Sequence, residues 1–546
     1  MPDTTVDAPD EARGHLPLVL RIVIAALLLA FEKFLLSFLV DSDAGQNASG
    51  LSRLTWFAQH FGLRFFVTFA TALALFAYVQ DNPRLKAVGA AAREIPLRPW
   101  WLALHTLLLV PLAVLAHSFY GGHGLQLPTA VLVTLWLTLG LSSLAALFTA
   151  MASWKIWRDA AGALGVLWAY AAAVGGAGAY AITWSQMLWA PMTRITFMLV
   201  ERVVVLIIPG LQSNPATQIL DTGRFAVQVN ELCSGLEGAG LLLAFCCVWL
   251  LYFRREYRFP RALLIIPAGL GLLFVLNVLR ISMLLLIGNA GYPDIAIYGF
   301  HSQAGWIAFN STAAGVAYLS LRSPWFSHLA HSRTSEAVPN PTAAYLLPFL
   351  AILAAGMLSR AASGQFETLY PLRLLAGALA IWHFWPRLRA LDFRFSWRGI
   401  TTGVAVFAMW IGAGHLLTHS SPMPAALVAM SSPGRQLWIA ARVLGAVVTV
   451  PLAEELAYRG FLMRRVVSAE FESVRFSAVG IWALLLSSVV FGIGHGSWWL
   501  PGTVAGVLYG VLPMRTGRIG EAVAAHATTN GLIAVWVLWL QQWQLW

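Results

Sequence analysis

The chain has 546 residues, of which 59% are hydrophobic and 11% charged, with a formal net charge of +11 and a mean hydropathy of +0.71. A soluble domain carries roughly 25% charged residues, so this chain lacks the means to cover a water-exposed surface, and its long repeated apolar runs read as a polytopic membrane protein. The basic residues sit in short loops between those runs, where membrane topology puts them, so nucleic acid is not an expected partner; three cysteines, two of them adjacent, exclude a disulfide framework.

The expected fold class is therefore all-α, a polytopic transmembrane helical protein embedded in a lipid bilayer. Residues 1–14 are polar and acidic, without the basic start or cleavage site of a signal peptide, and read as a cytoplasmic N-terminal tail. Apolar runs follow near 16–40, 60–79, 100–117, 128–151, 160–183, 237–253, 262–288 and 303–321. Seven more come near 343–358, 370–385, 399–416, 437–453, 478–494, 502–514 and 520–540. Between the two sets, 326–342 is polar and Pro-containing, the composition of a linker. It separates an eight-helix unit, 15–325, from a C-terminal unit, 343–546.

Loop charge orients the first unit. Arg84, Lys86, Arg93 and Arg98, then Lys155 and Arg158, then Arg254, Arg255, Arg258 and Arg261, mark alternate loops, while 118–127 and 289–300 have no Lys or Arg. Positive loops stay in the cytoplasm, so both ends of this unit are expected there. The stretch 184–236 falls on the outer side. Glu201 and Arg202 make its apolar part a poor span, so an interfacial or re-entrant helix is expected there.

With about 1.5 Å of rise per residue, the same alternation brings three side chains from separate elements to the outer face. Cys233 precedes the helix descending to Arg254, Arg280 lies toward the outer end of an ascending helix, and His301 starts the next descent. Taken singly, the cysteine reads as a packing residue, the histidine as an interfacial one and the arginine as one that snorkels to the interface. Together they make a reactive set: neighbouring cations favour the thiolate, a His relays protons, and a fixed Arg stabilises an oxyanion. Cys246 and Cys247 have no such partners and read as packing residues.

The ordered trio, in NELCSG (230–235), NVLRI (277–281) and HSQAGWIAF (301–309), resembles the exosortase/archaeosortase family of eight-helix transpeptidases. That resemblance implies Cys233 as nucleophile, Arg280 as oxyanion stabiliser and His301 as proton-transfer partner, with no cofactor. It also implies membrane-anchored exported proteins with C-terminal sorting signals as substrates, joined through a Cys thioester to a surface acceptor that the sequence does not name. The location implied is the bacterial inner membrane, with the active site at the periplasmic face.

The C-terminal unit contains PLAEELAYRGFLMRR (451–465), FGIGHG (491–496) and RTGRIGEAVAAHATTN (515–530). Glu455 and Arg459 are four apart and share a helical face, which leaves Glu454 free to activate water or bind metal. Glu454, His495 and His526 are candidate ligands for a divalent ion such as zinc, though they come from three segments. The plain alternative is a set of charge pairs closing a bundle. The motifs EExxxR, FxxxH and HxxxN resemble the CPBP (CAAX protease and bacteriocin-processing) intramembrane proteases. This implies Glu454 and His495 as water activators, His526 and Asn530 as oxyanion stabilisers, and Glu455 with Arg459 as the support of the site. A metal mechanism and a glutamate-only one both stay open, as does the side of the membrane. A straight helix rising from Arg475 would carry His495 too far outward to meet Glu454, so either that helix begins with an interfacial stretch or the glycines at 492, 494 and 496 mark a break.

An exosortase unit followed by a CPBP unit resembles the exosortase E/protease fusions, which are associated with VPEID-type sorting signals. The rival readings are a transporter or channel with buried polar residues, and an exosortase whose C-terminal unit is a non-catalytic scaffold.

Overall fold

The computed structural model describes residues 83–93, 97–120, 128–328, 340–417 and 422–546, with isolated positions between 21 and 95. The expected tail 1–14, most of the run 16–40, parts of 60–79 and most of the linker lie outside the described residues. The described chain is almost entirely helical. Six helices are long and apolar enough to cross a membrane, or seven if one bent pair counts as a span. The chain is a multi-pass membrane protein of the helical class.

Clustering of the chain gives two compact units, residues 9–188 and 189–546. In the first, α1 (Pro83–Arg93), α2 (Pro99–Tyr120) and α3 (Thr129–Met151) are followed by α4 (Trp154–Leu164) and α5 (Leu167–Ser185). The run expected as one span over 160–183 is broken: α4 stops at Gly165, whose φ of 51° few other residues adopt, and α5 turns 86° away. A buried polar chain ties this unit together. Glu32 meets His105 Nε2 at 2.8 Å, and His105 Nδ1 meets the Ser143 hydroxyl at 2.7 Å.

In the second unit, α6 (Trp189–Val205) leads into a three-stranded antiparallel sheet, β1 (Gln212–Asn214), β2 (Ile219–Asp221) and β3 (Ala226–Gln228). The sequence reading expected a helix in this region and missed the sheet. Its inner residues Leu220 and Val229 are fully buried with Val200 of α6 and with Ile281 and Leu285 of the helix that carries Arg280. The sheet thus caps the end of the bundle beside Cys233.

The remaining helices are α7 (Leu236–Tyr252), α8 (Ile265–Asn289), α9 (His301–Arg322), α10 (Pro341–Ala361), α11 (Pro371–Leu388), α12 (Trp397–Leu417), α13 (Ser432–Arg465), α14 (Ile481–Ile493), α15 (Trp499–Thr516) and α16 (Ile519–Leu540). Their starts follow local chemistry. Asn340 accepts the backbone N–H of Thr342 ahead of Pro341, and Ser431 accepts that of Gly434 ahead of Pro433, which are side-chain caps with proline in the first turn.

Three π-helical turns depart from regular helix beside the candidate site residues. One, Ile295–Phe300, runs directly into His301. Two more interrupt α13, at Gly445–Thr449 and Leu456–Leu462, on either side of Glu454 and Glu455. Such turns are frequent at functional sites.

Candidate active sites

Cys233 ends a 3-10 turn, Glu231–Cys233, three residues before α7. Its side chain is buried at 6% exposure among Val229, Val278 and Ile281. Asn277 Nδ2 donates to the Cys233 carbonyl at 2.9 Å, pinning the turn to α8 one helical turn before Arg280. That residue stands in the quoted NVLRI motif, yet the sequence reading gave it no role, since nothing in spacing tells which backbone group an Asn side chain meets.

Arg280 lies within electrostatic reach of both Cys233 and His301. Its Nε is buried and has no hydrogen-bond partner. The guanidinium lies against α9 at Gly305, one turn past His301, where a Cβ would come within 2.7 Å of Nη1. Only glycine leaves that space. Arg280 thus stands near both Cys233 and His301, which come from two other elements.

Helix α8 continues nine residues beyond Arg280 to Asn289, on the order of 14 Å at the α-helical rise, and helical backbone precedes His301 from Pro293. Arg280 thus lies further from the end of its helix than the apolar run suggests, whereas Cys233 sits in the turn just ahead of α7. Of the other cysteines, Cys246 is buried against Leu242, Leu273 and Ala313, and Cys247 is exposed.

The second constellation surrounds a cavity of about 230 Å³ whose wall includes Glu454, His495, His526 and Asn530. The expected obstacle was the reach of the helix before His495. Residues 471–478 fold instead as two 3-10 turns whose Phe471 and Phe476 are buried. Both rings pack around the Arg464 guanidinium, 5.5 and 4.8 Å from its carbon. Helix α14 begins only at Ile481, so about 18 Å of rise, not 30 Å, separates its start from Ile493. His495 arrives level with Glu454.

Glu455 and Arg459 are both 0% exposed and pair at 3.1 Å. Arg459 Nη2 donates to the Gly506 carbonyl at 2.9 Å, and its guanidinium carbon lies 4.4 Å from the centre of the Phe491 ring. His526 Nδ1 meets Glu455 Oε1 at 3.0 Å, while Nε2 lies 3.9 Å from Glu454 Oε2. A carboxylate only accepts, so Nδ1 carries a proton toward Glu455 and Nε2 is the nitrogen left to face Glu454.

The His526 ring stacks on Tyr509 at 5.0 Å. Tyr509 in turn donates to Thr529, which donates to the Gly403 carbonyl. Asn530 Nδ2 donates to the Ala446 carbonyl at 2.8 Å. His495 Nδ1 meets the Phe491 carbonyl at 2.8 Å, and its ring lies beside Trp410. Glu454 Oε2 is buried and accepts no hydrogen bond from the protein. Sequence reasoning missed Tyr509, Thr529 and Trp410, which carry no motif of their own and act by holding the histidines.

Glu455 holds His526 Nδ1 and the Phe491 carbonyl holds His495 Nδ1, which leaves Nε2 of each ring as the nitrogen a divalent ion would take, the pattern of a metal-ligating histidine whose other nitrogen is held by a carboxylate or carbonyl. Among the described residues, however, no three His, Cys, Asp or Glu side chains are grouped closely enough to hold a metal as they stand.

The connection between α10 and α11 touches the surroundings of both sites. The π turn before His301 packs on the connection between α10 and α11: a Cβ at Gly299 would fall 1.8 Å from the Ser363 carbonyl oxygen and 2.6 Å from that of Arg360. Tyr370, at the far side of that connection, lines the second cavity.

A family model for transmembrane exosortase (Exosortase_EpsH) matches residues 56–318. One for type II CAAX prenyl endopeptidase Rce1-like proteins matches residues 436–532. No curated protein and no solved structure matches the chain. The Cys233 trio falls inside the first match, and the Glu454 cavity has its motif residues inside the second. Residues 56–318 are thus similar to the transmembrane exosortase family and residues 436–532 to type II CAAX prenyl endopeptidase Rce1-like proteins, both of them peptidase or transpeptidase families.

Proposed function

We infer that residues 15–325 act as a cysteine transpeptidase on exported proteins carrying a C-terminal sorting signal of the VPEID/PEP-CTERM kind. The observation that carries this reading is the convergence of Cys233, Arg280 and His301 from three separate elements. The Cys233 thiolate attacks the scissile carbonyl while Arg280 faces the developing oxyanion. The C–S bond forms, the C–N bond breaks, and His301 protonates the departing amine. A surface acceptor then attacks the thioester and the thiolate leaves. Loop charge supports a bacterial inner-membrane protein with a cytoplasmic N-terminus and this site on the periplasmic side.

Residues 343–546 act, in the same reading, as an intramembrane endopeptidase. Glu454, with an unpartnered oxygen facing the cavity, takes a proton from the attacking water, and His495 stands on the opposite wall. Glu455 fixes the His526 ring through Nδ1, so that ring and Asn530 border the place where the oxyanion forms. Its substrate is the helical tail that the first step leaves in the bilayer.

The test follows a tagged sorting-signal substrate by size and location in Cys233→Ala and Glu454→Ala strains. The first variant is expected to leave the precursor uncut, and the second to cut it and accumulate the tail. Processing like wild type in both would refute the reading and favour a transporter, for which Cys233 is dispensable. Normal tail turnover in Glu454→Ala alone would leave the C-terminal unit a scaffold.

A further inference from the structure

The cavity around Glu454 has a cation that the proposed peptide hydrolysis does not use. Arg442 lies on α13 three turns before Glu454 and lines the same cavity. Its guanidinium carbon sits 4.5 Å from the centre of the Tyr370 ring and 5.5 Å from that of Trp546. Tyr370 is itself fixed, at 3% exposure in a cluster with Leu427 and Trp438. Among the described residues no carboxylate pairs with Arg442. Glu367, on the α10–α11 connection before Tyr370, is bound in two hydrogen bonds by Arg373. Arg459, Arg387 and Arg394 of the same unit are paired, with Glu455, Glu472 and Asp392.

A guanidinium held against aromatic faces keeps its in-plane N–H groups free, and their fork matches a carboxylate. We propose that Arg442 is a specificity-determining residue of the C-terminal peptidase site, binding a carboxylate of the peptide substrate. The carboxylate is either a free C-terminus or an acidic side chain. The proposal rests on reading this cavity as a peptidase site.

Position adds a measurable consequence. Arg442 and Glu454 are twelve residues apart on α13, on the order of 18 Å at the α-helical rise. An extended peptide covers about 3.3 Å per residue, so the cut falls about four to six residues from the anchored carboxylate.

The experiment uses the full-length protein in detergent and four labelled peptides of about ten apolar residues. One has a free C-terminal carboxylate, one the same end amidated, one an internal Glu in the amidated chain, and one Gln in its place. Binding is measured by fluorescence anisotropy on the Glu454→Gln protein, and cleavage on the wild type by mass spectrometry. One of the two carboxylate peptides is expected to bind about tenfold or more tighter than its neutral partner, which identifies the source. Adding Arg442→Gln removes that difference, whereas Arg435→Gln, on the same helix and outside the cavity, retains it.

Equal binding of acidic and neutral peptides, or a preference that survives Arg442→Gln, overturns the proposal. Cleavage that persists in the Glu454→Gln protein overturns the peptidase reading instead, so the two failures are told apart.

Discussion

Gly299 offers the sharpest test of how the Cys233 site is held. A methyl group there would sit 1.8 Å from the Ser363 carbonyl oxygen, whereas carbon and oxygen normally approach to about 3.3 Å. The π turn or the α10–α11 connection must then move by about 1.5 Å, and overpacking of this kind costs about 1–3 kcal/mol. His301 begins one residue beyond the turn. A 1 Å misplacement of a reacting group lowers rates by about 10²-fold, so Gly299→Ala is expected to slow precursor processing by about that factor. Gly271→Ala, in α8 with nothing within 4 Å of its Cβ, serves as the control.

The assay is the initial rate on a tagged sorting-signal substrate, paired with the pH profile of Cys233 alkylation. In Gly299→Ala that profile is expected to move toward the profile of His301→Ala, a change that general loosening would not produce. Processing within twofold of wild type would refute the reasoning.

Asn277→Ala removes the one side-chain hydrogen bond on the Cys233 carbonyl. Loss of a buried bond of this kind costs about 1–3 kcal/mol; a kcat reduced about tenfold, with peptide cleavage at the Glu454 site unchanged, is the expected result. Arg459→Ala leaves the fully buried Glu455 with His526 as its remaining partner, and breaking a buried pair in this way costs about 3–5 kcal/mol, read as a lower thermal midpoint in detergent together with loss of peptide cleavage. Chelation with phenanthroline is expected to leave peptide cleavage unchanged, since no three ligating side chains are grouped among the described residues; loss of activity restored by zinc would refute the glutamate mechanism.

Most helix positions were legible because a bilayer-crossing segment has to be apolar over its whole length. The runs read at 128–151, 262–288 and 520–540 became Thr129–Met151, Ile265–Asn289 and Ile519–Leu540. What failed were features set by tertiary packing. The sheet over 212–228 is built from three-residue strands of mixed polarity, too short for alternation to register. The Phe471 and Phe476 turns gain their stability by enclosing Arg464, a partner distant in any periodic pattern. For the sites, loop charge could suggest that Cys233, Arg280 and His301 come near one another, but not that α8 runs well past Arg280. At Glu454 and His495 a straight helix from Arg475 would have kept the pair apart, and of the two ways out, an interfacial start or a break at the glycines, the turns over 471–478 and the late start at Ile481 match the first. Arg442 was invisible for a different reason: an arginine inside a long helix carries no signature of the cavity it faces.

That one connection, between α10 and α11, touches the surroundings of both sites within a single packed unit has a kinetic consequence. A protein that stays anchored by its tail has lost one dimension of diffusion, and in the proposed sequence of two cuts it meets the second site without leaving the first. The cut end is held near the second cavity by its own membrane segment, so its local concentration depends on tether length rather than on how much substrate the cell makes. A fusion of this kind would keep its second step efficient when substrate is scarce, an advantage that two separately diffusing enzymes with the same residues would lack.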